Sequence, residues 1–222
     1  MTDKRSCFDD PIRRKVEKDI SDGCLSPMDP PDAYAPPGKV DVNPDEMHPF
    51  LKELMAEHRT IKEALAGFEE TIFSMKQSGV TRETNQRLAH FFHIFDDAFI
   101  PHDKKEERNL FPALERKLIE KGEHSQGMKP TTAIDVMEDD HLKAIQRAAV
   151  TFNFFGLASR LKDDLSRNLV LDAAITQSEE LIELLRLHIF REDSIVFPLA
   201  HKYMSKTELD RLWKTWRNRT KD

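Results

Sequence analysis

From about residue 50 onward, apolar positions recur every three or four residues, in four long runs separated by short polar breaks. Leu51, Leu54, Met55, His58, Ile61, Leu65, Phe68 and Ile72 form the first run, spaced as one face of an α-helix. Ser78-Gly79-Val80-Thr81 interrupts it, and a second helix follows from about 82 to 120. Leu88, Phe91, Phe95, Phe99, His102, Glu106, Leu110, Ala113 and Leu114 mark its buried side. Pro101 and Pro112 fall inside that span, which predicts a kink or local unwinding near His102. After a polar loop from Lys121 to Pro130, a third helix carries Ile134, Met137, His141, Ile145, Ala148, Phe152 and Phe155. A break over Lys162 to Asn168 precedes a fourth, from about 169 to 203, with Ala174, Leu181, Leu185, His188, Glu192, Ile195 and Leu199 inward. Strand-like alternation is absent throughout.

Both ends of the periodic region carry helix-start signals. Asn43-Pro44-Asp45-Glu46 has the form of a helix N-terminus, although Pro49 follows, so the first helix is established only by Phe50. Ser205-Lys206-Thr207-Glu208 is a capping-box pattern opening a short last helix, with Leu209, Leu212, Trp213 and Trp216 as its apolar stripe. The expected fold is all-α: an antiparallel up-down four-helix bundle over residues 44–204. Residues 205–222 form a short C-terminal helix packing on the bundle. Residues 1–43, with Pro11, Pro27, Pro30, Pro31, Pro36 and Pro37, read as an extended or flexible arm.

Composition narrows the classes. The chain has 222 residues, 39% hydrophobic and 33% charged, which suits one domain with a sizeable core. No apolar run reaches the length of a membrane span, and no apolar segment follows the first residues as a secretory signal would. A net charge of -6 argues against a nucleic-acid surface. Two cysteines, Cys7 and Cys24, both outside the periodic part, offer neither a disulfide framework nor a thiolate cluster. A soluble protein of the cytoplasm, with no membrane or nucleic-acid partner, is expected.

The chemistry lies in a repeat. H-D-K-K-E-E-R-N-L-F-P at 102–112 and H-I-F-R-E-D-S-I-V-F-P at 188–198 align without a gap, matching His102 with His188, Glu106 with Glu192 and Phe111-Pro112 with Phe197-Pro198. A His and a Glu four residues apart share one helix face, so both can point at one spot. Each copy is preceded by another helix-borne histidine, in Glu57-His58-Arg59 and Asp140-His141-Leu142. All four histidines and both glutamates fall on inward positions. Burying six ionisable groups without partners costs several kcal/mol each, more than a domain can spare. A metal centre resolves that cost better than a duplicated His–Glu network. Two histidines and one carboxylate per half, with no thiolate, suit iron first and manganese second, and disfavour a structural zinc site.

Taken together, His58, His102-x-x-x-Glu106 before Leu-Phe-Pro, His141, and His188-x-x-x-Glu192 before Val-Phe-Pro resemble the hemerythrin-like (HHE cation-binding) proteins over roughly residues 47–203. The resemblance implies a bundle holding a diiron centre: His58 and His102 on one iron, His141 and His188 on the other, Glu106 and Glu192 bridging. This chain departs from the oxygen-carrying hemerythrins in two places. Carriers bring two histidines from the third helix, whereas Met137 and Ile145 flank His141 at that spacing. Carriers also end in His-x-x-x-x-Asp, whereas this chain has His-x-x-x-Glu. One iron is thereby left short of a ligand. His90, Asp103 and Glu138 are the candidates for completing the site, and reversible oxygen carriage becomes the weaker expectation. His93, His48, His124 and His201 read as peripheral, surface or cap residues.

Three functions are compatible with this reading. The first is a diiron protein that binds or reacts with a small diatomic or peroxide (oxygen, nitric oxide, hydrogen peroxide). A second is an iron or oxygen sensor, or an iron-handling module, signalling to a protein partner through the arm. Iron–sulfur cluster repair ranks third, because relatives of that kind carry adjacent cysteines and Cys7 and Cys24 stand apart.

Overall fold

The computed structural model describes residues 42–126 and 129–219; the expected arm lies, apart from Val42 and Asn43, outside the described residues. All regular structure among the described residues is helical. A short 3-10 turn, Pro44–Glu46, precedes α1 (Pro49–Ser78). The Asn43-Pro44 signal thus opens one turn, and the long helix starts afresh at Pro49. His48 is its N-cap: its Nδ1 accepts the Phe50 N–H at 3.2 Å. Thr81 caps α2 (Arg82–Ile94), and its hydroxyl accepts the Thr84 N–H.

The second helix of the bundle is continuous but changes pitch. A π-helical turn at Phe95–Phe99 leads into α3 (Ile100–Lys105), a second at Glu106–Leu110 into α4 (Phe111–Glu120). A third, Glu192–Val196, joins α6 (Asp164–Arg191) to α7 (Phe197–Tyr203). Each π turn is followed by one residue and then a proline: Ile100-Pro101, Phe111-Pro112 and Phe197-Pro198. Proline has no N–H for the carbonyl four residues back, and its ring collides with that carbonyl in a regular α-helix. The residue before it bonds five residues back instead, as Phe111 N–H does to Glu106 O and Phe197 N–H to Glu192 O. The expected kink near His102 is a looser winding on both sides of it.

α5 (Ala133–Ala158) starts at a capping box, Thr132 with Asp135, and lies closely along α6. Its buried face corrects the sequence pattern in part: Ala148 and Phe155 are inside as expected and Ala144 and Thr151 join them, whereas Ile145 and Phe152 are 44% and 60% exposed. The small residues on this face let α5 lie close to α6. α6 begins five residues earlier than its apolar pattern, because Asp163 accepts the Ser166 N–H and caps a first turn that buries nothing. Last, α8 (Lys206–Arg219) opens on the expected capping box, with Ser205 N–H bonded to Glu208 Oε2 at 2.8 Å. It lies against α1 and the turn at Glu106–Leu110. Trp213 Nε1 donates to Glu53 at 2.8 Å and His48 Nε2 meets Asp210 at 3.1 Å.

Two apolar clusters fill the interior. One gathers Ile61, Phe68, Phe91, Phe99, Ala148, Leu181 and their neighbours. Leu51, Leu54, Leu110, Phe111, Ile134, Met137, Phe197 and Leu209 belong to the other. His58, His102, Glu106, His141, His188 and Glu192 fall between the two sets along all four long helices of the bundle, as one polar layer.

Candidate metal centre

Four elements deliver that layer. α1 brings His58, α3 and the π turn after it bring His102 and Glu106, α5 brings His141, and α6 with its π turn brings His188 and Glu192. None of the six is more than 1% exposed. The imidazoles meet in two pairs: His58 Nε2 lies 2.9 Å from His102 Nε2, and His141 Nε2 lies 3.1 Å from His188 Nε2.

The glutamates link the pairs. Glu106 places Oε1 3.5 Å from His102 Nε2 and Oε2 3.5 Å from His141 Nε2. Glu192 places Oε2 3.0 Å from His58 Nε2 and Oε1 3.1 Å from His188 Nε2. Of the three residues that could complete the site, Asp103 joins the second pair, with Oδ1 3.6 Å from His141 Nε2. Two donor groups result, His58–His102–Glu106–Glu192 and Asp103–Glu106–His141–His188, each compact enough for one cation. His90 is exposed and Glu138 belongs to neither group, so both stay outside the layer. His93 pairs with Asp97 on the surface.

The outward ring nitrogens reveal residues that spacing alone did not assign. His58 Nδ1 meets Asp193 at 2.7 Å, His102 Nδ1 meets Glu57 at 2.9 Å and His141 Nδ1 meets Glu107 at 3.0 Å. Asp140 stands 3.8 Å from His188 Nδ1, drawn aside by Arg191 at 2.7 Å. The repeat carried a signal for all four: an acid precedes His58 and His141, and an acid follows Glu106 and Glu192. Lys105 and Lys62 pair in turn with Glu57 and Asp193. Such carboxylates fix ring orientation and leave Nε2 facing inward with its lone pair. Phe197 stacks on His58 at 5.5 Å and Phe111 on His141 at 5.7 Å, so each Phe-Pro packs against a histidine of the opposite half.

The electrostatics show what the layer lacks. Both oxygens of Asp103, Glu106 and Glu192 are buried without a hydrogen-bond donor in good geometry. Burial pushes Asp103 up to about 8. Burial and then the neighbouring Glu192 carry Glu106 well above the carboxylate range. Glu192 goes the other way: burial raises it, but His188 and His58 outweigh burial and hold it low. Burial, aided by His188, lowers His141 to about 4. For His188, Glu192 and Asp140 overcome burial and lift it to about 10. Without a cation, protons must therefore be shared unequally across each facing pair. Imidazole nitrogens and carboxylate oxygens converging at these distances, six of the oxygens undonated, fit divalent transition metals.

Fold and layer define a helical bundle with interior donor groups that could hold cations. The chain belongs to the hemerythrin family: the model of the hemerythrin HHE cation binding domain matches residues 50–200. No curated protein and no solved structure matches the chain. Among the described residues, no helix is long and apolar enough to cross a membrane.

Proposed function

We propose that the layer holds two iron ions. His58 and His102 serve one, His141, His188 and Asp103 the other, and Glu106 and Glu192 bridge them. The observation that carries this is the reach of both glutamates to both histidine pairs, with their oxygens otherwise undonated. The choice of metal rests on donor chemistry: nitrogen and oxygen without sulfur favours iron, then manganese, over a closed zinc site.

On this reading the protein is a cytoplasmic one that binds or reacts with a small diatomic or peroxide. The irons would supply charge to polarise the ligand and electrons to exchange with it. The chain's own contribution is exclusion of water by the two apolar clusters, and orientation of the imidazoles by Glu57, Glu107 and Asp193. Of the two positions flanking His141, Ile145 is turned outward and Met137 is buried in the apolar cluster of Leu54 and Phe111, so neither supplies a fifth imidazole. That favours reaction over carriage.

The sensor reading draws on one contact: Trp216 of α8 covers Lys105, which pairs with Glu57 and through it with His102. The arm, as the segment for a protein partner, lies outside the described residues. Protein prepared anaerobically is expected to contain about two irons per chain, and fewer in His102→Ala or His188→Ala, since each variant removes an imidazole from one position. Stoichiometric zinc from iron-replete cells, with no iron taken up on reconstitution, would refute the assignment. Deleting residues 1–40 should leave the iron content unchanged, because every proposed ligand lies beyond them.

A further inference from the structure

The internal repeat is nearly symmetric in its donors, and the one place where it fails sits inside the metal layer. Aligning His102 with His188 sets Asp103 against Ile189. Both side chains are buried, at 4% and 1% exposure, but one is a carboxylate and the other a hydrocarbon. Asp103 has no hydrogen-bond donor on either oxygen and stands 3.6 Å from His141 Nε2. Ile189 packs in the apolar cluster of Phe68 and Phe99.

We propose that the two metal positions are unequal by construction and fill in order. The position of His141, His188 and Asp103 takes its ion first and more tightly; that of His58 and His102 takes its ion second and more weakly. This rests on the dinuclear reading above and adds a rank between its halves.

The rank follows from counting donors. Each position has two imidazoles, and each shares the same two glutamates, whose oxygens lie 3.0–3.5 Å from both histidine pairs. Those terms cancel. Asp103 does not cancel: it adds a full negative charge to one position only, and ligand charge count is a main lever on cation affinity. A buried carboxylate without a donor also costs free energy in the metal-free chain, which a cation beside it relieves. Occupation of this position then lowers the negative charge that the bridging glutamates offer to the other.

One set of contacts pulls the opposite way. His58 and His102 both have carboxylates on Nδ1, at 2.7 and 2.9 Å, whereas Asp140 is 3.8 Å from His188. Those carboxylates act through a ring, and Lys62 and Lys105 share the charge of Asp193 and Glu57. Asp103 faces the ion itself, so its contribution wins.

Cobalt(II) titrated into the metal-free full chain, followed by calorimetry and visible absorption, tests the order. Wild type is expected to bind two ions in two resolved steps. Asp103→Asn keeps the size of the side chain and removes its charge. It should weaken the first step by about 100-fold, the upper end of what losing an outer partner costs, and leave the second near its wild-type strength. His58→Ala should retain one tight ion, and His141→Ala should lose the tight step, which assigns the positions even if the Asp103 variant folds poorly by circular dichroism. Two wild-type ions of equal affinity, or an Asp103→Asn protein weakened alike at both steps, overturns the ranking while leaving the dinuclear centre standing. A wild type that takes up no cobalt removes both.

Discussion

At the scale of single residues, the layer is an arrangement that a metal-free protein can hold only at a cost. Asp103 sits at about 8 because burial penalises its charge, and His188 at about 10 because Glu192 and Asp140 overcome burial. In the folded, metal-free chain each therefore keeps a proton that the unfolded chain has already released, Asp103 above its ordinary 3.8 and His188 above 6.5. Stability falls with rising pH wherever the folded state binds more protons. The Asp103 contribution is thus lost progressively up to about 8, and the His188 contribution as pH rises through about 10. Chelator-stripped protein should melt lower at about pH 9 than at about pH 7, by on the order of 1 kcal/mol per pH unit for each such proton. Metal-loaded protein, in which cations replace those protons, should show no such decline. Equal melting temperatures of the stripped form at the two pH values would contradict this assignment of the protons.

Residue spacing made the six inward donors legible, because two identical His-x-x-x-Glu segments on helices leave few other places for their side chains. It named Asp103 only beside His90 and Glu138, because the burial that brings Asp103 alone to the donors is not legible in spacing. Nor did it assign the carboxylates behind the rings, which bind across helices: Glu57 to His102, Asp193 to His58. Met137 is the residue whose identity bears most directly on function. It is buried one helical turn before His141, and Met137→His should slow oxidation of the reduced protein if an added imidazole closes that approach. Stopped-flow absorbance of reduced wild type and variant mixed with oxygen gives the comparison. Wild type should be consumed in one pass; uptake reversed by degassing over many cycles would make the protein a carrier.

At the scale of elements, the discrepancies between pattern and structure have a common origin. Hydrophobic periodicity weights large residues, so it overlooked Ala144 on the buried face of α5 and the first turn of α6, where Leu165 is exposed and only the Asp163 cap announces the helix. Pitch is a second blind spot. The sequence marked Pro101 and Pro112 as disturbances, but π winding depends on where the freed carbonyls find donors, which periodicity does not carry. Two of the three π turns begin at the glutamates proposed to bridge, so the extra residue in each turn sets the direction in which Glu106 and Glu192 leave the helix. Pro112→Ala restores an N–H that can return the turn toward α-helical bonding. The expected outcome is a folded protein of unchanged helicity with metal affinity lowered about tenfold, comparable to losing an outer partner of a ligand. Unchanged affinity would mean that packing alone, not the proline, holds the π turn.

At the scale of the whole molecule, the polar layer divides the bundle's interior into two apolar clusters that each hold together by their own contacts. Phe50, Leu51, Leu54, Phe111, Leu114 and Phe197 are almost wholly buried on one side, and Leu65, Phe68, Phe99 and Leu181 on the other. Fully burying one such side chain contributes about 1.5–3 kcal/mol. Helical packing therefore does not depend on the metal, unlike a small zinc domain whose fold is its metal site. On the proposed reading the metal is instead a clamp between two self-sufficient halves. A cation bound only by the folded chain stabilises it by about 4 kcal/mol at a thousandfold excess over its dissociation constant. In a domain of this size each kcal/mol moves the melting temperature by about 2–4 °C, so a shift on the order of 10 °C is expected on loading. Calorimetry of stripped and reconstituted protein should show both forms folded and helical, with a single higher transition for the loaded one. Equal transitions would place the bound metal at the surface and not in the layer, whereas a stripped chain without helical structure would show that the apolar clusters cannot hold the bundle alone.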